Sequence, residues 1–227
     1  MSTLDGFVVR KNTTAQQIAE ALSERIMSGA FRPGDRLRES AIAGTLGVAR
    51  STVREAVRVL ELGGLVRYEI NRGAVVISPT PEKIDALYIA RERLEAAAVA
   101  RALGAEQLAS VSRAYDALVS AASQHDRRAI VHADLHFHAT LVSLLGSTRL
   151  DDFYTDLTRE LGFYLLVLSE EDREYESPDE LLAEHRAIVD ALHDGDTDRA
   201  LTAVRSHIHT SAQRLKEILA GDADSPG

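Results

Sequence analysis

Cysteine is absent from the 227 residues, which excludes disulfide and thiolate chemistry. Long hydrophobic runs are absent too. The longest lies around Phe163 to Leu168, far short of the roughly 20 apolar residues that span a bilayer. No signal-peptide pattern is visible, so the expectation is a cytoplasmic protein with no membrane partner. There is no phosphate-binding glycine loop, no Ser/His/Asp set that fits together, no internal repeat and no low-complexity tract. After residue 78 there is little β patterning.

What is present is an uneven charge. The net charge of −9 argues against a general nucleic-acid binder. Residues 1–77, however, hold 11 Lys/Arg against 8 Asp/Glu, and residues 78–227 hold 15 against 27. A mildly basic head on an acidic body is the asymmetry expected when one domain meets phosphate. The head's net +3 is small, so affinity must rest on placed arginines and on dimerisation.

Residues 34–73, GDRLRESAIAGTLGVARSTVREAVRVLELGGLVRYEINRG, predict a helix, a turn, a second helix and a β-hairpin. The first helix fits Glu39 to Leu46, ended by Gly47. The second is expected to start with Ser51 as its N-cap and to stop at Gly63 and Gly64. Val53, Ala56 and Leu60 share one side of the wheel with Val57 at its margin; Arg50, Ser51, Arg54 and Arg58 share the other. Such a face suits the DNA major groove, where arginine forks match guanine acceptors and phosphates, although a charged helix face is usually only solvated. The hairpin adds weight. Leu65 to Tyr68 and Ala74 to Ile77 alternate as strands around Asn71-Arg72-Gly73, a wing with Arg72 and Gly73 at its tip. A further helix is predicted over Thr14 to Ser28, after about 12 mobile residues.

This stretch resembles the winged helix-turn-helix of GntR-type bacterial transcription regulators, through "RPGDRL", "LGVARSTVREAVRVLELGGLV" and "NRGAVV". The resemblance implies that Arg50 and Arg54 contact operator bases or phosphates, that Ser51 and Thr52 contact phosphates, and that Gly73 lets the wing approach the minor groove. The sequence departs from the family early in the helix at Glu39 to Leu46. Ser40 stands where many relatives carry a DNA-contacting arginine, and Arg38 is the nearest basic residue.

Ser78-Pro79-Thr80-Pro81 marks a domain boundary. The expected division is a winged helix-turn-helix domain over 1–77, a linker over 78–82, an all-α domain over 83–219 and a flexible tail over 220–227. The fold class is thus mainly α, a winged head followed by an all-α helical bundle. Its helices are placed near 82–103, 105–123, 126–145, 148–169, 178–194 and 196–219, with Glu170 to Glu176 as an acidic loop or fraying helix end.

Polar groups on apolar faces carry the second domain's chemistry. Asp134 and His138 lie one turn apart on a stripe with Leu141 and Leu145. His185 is centred among Leu181, Leu182, Ile188, Val189 and Leu192. His207 shares a face with Val204, Leu215 and Ile218. His132, His136 and His209 point away. A lone inward histidine is usually just a core residue, and an Asp–His pair only a salt bridge. Four such groups, though, form a candidate site for a divalent ion or a joint polar ligand pocket, since an unpaired buried carboxylate is costly and imidazole with carboxylate suits zinc, nickel, manganese or iron. Arg91 also faces inward, one turn from Glu95. It reads either as a structural ion pair or as an anchor for a ligand carboxylate. Arg214, near the His207 face, is a second candidate anchor.

"DLHFH", "EHRAIVDALHDGD" and "ALTAVRSHI" resemble the FCD effector-binding domain of the FadR-type branch of these regulators, over about residues 83–217. The resemblance implies that Asp134, His138, His185 and His207 hold a metal ion. "LYIARERLE" matches the family's first effector-domain helix, where an arginine at the Arg91 position often contacts acid ligands. The implied function is a homodimeric regulator of a palindromic operator, modulated by a metal and a small organic acid. Two alternatives stay open: a metal-dependent hydrolase-like enzyme with a nucleic-acid-binding head, and a regulator that senses the metal itself.

Overall fold

The computed structural model describes residues 13–168 and 178–223. The expected mobile first residues and the acidic segment Glu170 to Glu176 lie outside them. The chain divides into two compact units, Met1–Ile77 and Ser78–Gly227.

In the first unit, α1 spans Thr14–Met27. Thr13 caps it: its hydroxyl accepts from the Gln16 amide while the Gln16 side chain accepts from the Thr13 N–H, two end groups satisfied reciprocally. α2 spans Glu39–Leu46 and ends at Gly47, whose φ of 65° favours glycine. α3 spans Arg50–Leu62. Ser51 is not its cap. The extended Ala49 holds that position without a side-chain bond, so helical geometry begins two residues earlier and Ser51 sits exposed in the first turn.

The hairpin comprises β1, Val66–Glu69, and β2, Gly73–Val76, paired antiparallel with Val66 opposite Val76 and Glu69 opposite Gly73. The paired core is shifted by one residue at each strand from the alternation, but Ile77 N–H still bonds to Leu65 O. Asn71 and Gly73 both have positive φ at the tip. The core is built from Ile18, Leu22 and Ile26 of α1, Val53, Val57 and Leu60 of α3, and Val75 and Val76 of β2, with α1 and α2 both packed on α3.

The second unit is helical throughout its described residues. α4 spans Pro81–Val99, α5 Ala105–Ser123, α6 Arg127–Ser143, α7 Thr148–Leu168, α8 Asp179–His193 and α9 Thr197–Ala223. Pro81 at the first helical position lacks an N–H that would be unpaired there anyway. α4 stops at Val99, four residues before the expected end. Gly104 serves as the N-cap of α5 rather than the stop of α4, and the guanidinium of Arg101 in the connection donates to Leu144 O. At the other end α9 continues to Ala223, so residues 220–223 of the expected tail are helical; a lone Gly221 costs too little to end a long helix. α4 packs on α9, α6 and α7, α5 on α6 and α8, and α8 on α9. α4, α6, α8 and α9 thereby surround one buried interior.

Candidate metal centre and nucleic-acid interface

The apolar side of α3 is fully buried, with Val53, Ala56 and Val57 at 0% exposure. This leaves Arg50, Ser51, Arg54 and Arg58 exposed together, with Thr52 half-buried. Arg54 is held by a neighbour: its Nε lies 3.4 Å from Glu39 Oε2. Glu39 also accepts from the Tyr68 hydroxyl of β1, so one carboxylate at the start of α2 ties the exposed helix to the wing. Arg38 and Ser40, on either side of Glu39, are exposed.

At the wing, Glu69 accepts from Arg67 at 2.6 Å and from Arg72 at 2.7 Å. Exposed pairs of this kind are screened by water and worth little, so they orient the arginines without committing them. Gly73, at φ 78°, lies against the Arg36 guanidinium. Sequence reasoning missed Glu39 and Glu69 as partners of these arginines: Glu39 meets Arg54 from a different helix, 15 residues away, and Glu69 meets Arg67 and Arg72 within the hairpin itself.

In the second unit, Asp134 and His138 on α6, His185 on α8 and His207 on α9 present ligand atoms that all lie within 4.8 Å of one another. All four residues are buried, His138 and His185 completely. His138 Nε2 is 3.2 Å from His185 Nε2 and 3.0 Å from His207 Nε2. Asp134 Oδ1 is 2.9 Å from His185 Nε2 and 3.6 Å from His138 Nε2.

The outward nitrogens are each occupied. His185 Nδ1 lies 2.7 Å from Leu181 O; a carbonyl only accepts, so that nitrogen carries the hydrogen. His138 Nδ1 lies 2.6 Å from Glu95 Oε2, and His207 Nδ1 2.7 Å from Glu184 Oε2. With all three outward nitrogens donating, three Nε2 lone pairs and a carboxylate oxygen face one point. Neutral groups repel there. A divalent ion with ligands at about 2.0–2.2 Å removes the conflict. Asp134 Oδ1, buried and without a hydrogen-bond partner of good geometry among the described residues, fits the same ion.

Protonation follows the geometry. Burial works to raise the pKa of Asp134, but His138 and His185 outweigh it and hold the group well below the usual carboxylate range. Burial works against a charged His138, yet the Glu95 charge and the bonds His138 donates to Asp134 and Glu95 leave its pKa above the ordinary histidine value. Burial and the charges of His185 and His138 push His207 well below it.

Arg91 is 1% exposed, and its Nε donates to Glu95 Oε1 at 3.1 Å. The structural ion pair is thus present. Its Nη2 remains buried without a hydrogen-bond partner among the described residues, which leaves a donor for a ligand. Arg214 on α9 is half-buried, and its charge acts on Glu184. His132, His136 and His209 are exposed. No periodicity pointed to Glu184, which meets His207 across a helix packing 23 residues apart.

A winged helix-turn-helix unit followed by a helical unit with a buried polar centre is the architecture of a DNA-binding transcription regulator. The family comparison agrees: residues 14–76 match the model "Bacterial regulatory proteins, gntR family" and residues 86–210 match the FCD domain. The chain belongs to the GntR family of transcriptional regulators and carries an FCD domain. It is 32% identical to a GntR transcriptional regulator from Rhodococcus sp. RHA1, whose crystal structure superposes with a TM-score of 0.75 over 90% of this chain and 98% of that one. It is 27% identical to an uncharacterized HTH-type transcriptional regulator of Bacillus subtilis (strain 168), covering 95% and 97% of the two chains. It is 28% identical to the gluconate operon transcriptional repressor of the same organism, covering 87% and 82%. Family and relatives are regulators, not enzymes, which answers the hydrolase alternative. No helix among the described residues is long and apolar enough to cross a membrane.

Proposed function

We propose that this regulator binds a divalent metal through Asp134, His138, His185 and His207, and that a small organic acid beside the metal modulates its grip on operator DNA. The work divides along the chain: residues 1–77 read DNA, 78–80 link, and the helices from Pro81 to Ala223 hold the ligands. The observation that carries the reading is the convergence of three Nε2 atoms and Asp134 Oδ1 on one buried point, with every Nδ1 already donating outward. Bound there, the ion supplies a Lewis-acidic centre for a carboxylate oxygen. Arg91 would hold the acid through Nη2, with Arg214 as a second cation on the Glu184 side. In six-fold coordination two positions are left for water or acid; in tetrahedral zinc the four protein ligands close the site.

On DNA, a homodimer would place two copies of α3 in successive major grooves of a palindromic operator. Arg50 and Arg54 would read bases or phosphates. Ser51, Thr52, Arg58, Arg38 and Ser40 would meet phosphate, and Arg72 and Gly73 would bring the wing to the neighbouring groove. The acid must bind one arrangement of the dimer better than the other to change operator affinity.

The test is elemental analysis and native mass spectrometry of the purified protein, followed by calorimetry with mono-, di- and tricarboxylates with and without metal. Gluconate is the first acid to try, because one relative is named for a gluconate operon. About one ion per chain, lost in His185→Ala and kept in His132→Ala, is the expected result. Equal metal affinity in His185→Ala, or acids that bind equally to metal-stripped protein, would overturn the model of the site.

A further inference from the structure

One carboxylate behind the candidate centre is shared among three partners. Glu95 is 0% exposed. Its Oε2 meets His138 Nδ1 at 2.6 Å. Its Oε1 accepts from Arg91 Nε at 3.1 Å and from the Tyr154 hydroxyl at 2.6 Å. It therefore joins three helices: α4 through itself and Arg91, α6 through His138 and α7 through Tyr154. A buried carboxylate pays a large desolvation cost, and here three donors, one of them the Arg91 cation, offset it.

We propose that Glu95 is the positioning residue of the metal centre. It fixes His138 as an Nε2 ligand, strengthens that nitrogen as a donor, and ties the ligand to Arg91 and Tyr154. The proposal rests on the metal reading above and assigns a residue outside the ligand set. The physical basis is general. A carboxylate behind a ligating histidine sets its tautomer and ring orientation and raises its basicity, and losing it costs about 10–100-fold in metal affinity. Glu184 stands in the same relation to His207, but its side chain is 22% exposed. Water screens it and can replace it, so the larger effect belongs to Glu95.

The variant is Glu95→Gln in the full chain, which keeps volume and an acceptor but removes the charge. Glu92→Gln, on the same helix in a surface pair with Arg205, is the control. Zinc affinity is measured by competition with a chelator, and the visible spectrum is recorded with cobalt(II) in place of zinc. Expected is a roughly 10–100-fold weaker zinc affinity in Glu95→Gln and a shifted cobalt spectrum, with both unchanged in Glu92→Gln. A purely structural role would lower the melting temperature and leave the spectrum in place. If Glu95→Gln does not fold, the charge-neutral pair Arg91→Met/Glu95→Gln takes its place, with the same expected losses. Zinc affinity within about threefold of wild type and an unmoved spectrum, in whichever variant folds, overturns this proposal alone. A wild-type protein that binds no zinc, nickel, manganese or iron overturns the metal reading with it.

Discussion

Single side chains decide whether the head reads sequence. Arg54 is exposed and only lightly held by Glu39, so exchanging that partner for a base edge costs little. Arg54→Ala is expected to weaken operator binding by roughly 1–3 kcal/mol and to relax specificity, measured by titrating operator and scrambled duplexes at one salt concentration. Unchanged affinity in both Arg50→Ala and Arg54→Ala would remove α3 from the interface. Within the helical unit the decisive side chain is Glu95. Burial works to raise its pKa, but the charges of His138 and Arg91 and the bonds from His138 and Tyr154 hold it at about 2. A depressed carboxylate stabilises the fold above its unfolded pKa, near 4.5, and loses that contribution as pH falls toward 2. Acid unfolding of metal-free protein should therefore steepen across that window, and Glu95→Gln should flatten it. An acid limb identical in the two proteins would refute the linkage.

At the scale of elements, the helices were legible where periodicity and punctuation coincide. Gly47 after Leu46 and the Gly146 and Gly195 breaks each sit where the backbone takes positive φ. The inward stripe of Asp134 and His138 follows from i, i+4 spacing alone. That His185 and His207 arrive at the same point does not, because it depends on how α8 and α9 pack against α6. Caps were harder to place: Ser51 looks like an N-cap by type, but Ala49 occupies the position two residues earlier and leaves Ser51 within the first turn. Asp126 is a cap the structure adds, accepting from the amides of Arg128 and Ala129 at the start of α6. Asp126→Ala should cost about 1 kcal/mol of stability, read from denaturant midpoints, while leaving the zinc affinity of a folded protein unchanged. A variant as stable as wild type would show that tertiary packing, not the cap, fixes the start of the ligand-bearing helix.

For the molecule as a whole, an ion that binds only the folded helical unit stabilises it by mass action, about 2.7 kcal/mol at a hundredfold excess over Kd. Calorimetric scans should then show one transition rising with added zinc and falling with chelator, while the transition of the winged unit stays put. Two transitions moving together would mean that the units unfold as one. The helix that carries Arg91 and Glu95 begins at Pro81, directly after Ser78-Pro79-Thr80. Glu95 lies fifteen residues beyond Thr80, about 22 Å along a single α-helix. A rod of that length carries a twist from one end to the other without changing its own hydrogen bonds. Circular dichroism of loaded and stripped protein should therefore coincide even where the linker end has turned. Because the chain contains no cysteine, Ser78→Cys creates a unique thiol, and a fluorophore placed on it would report that rotation free of any background label.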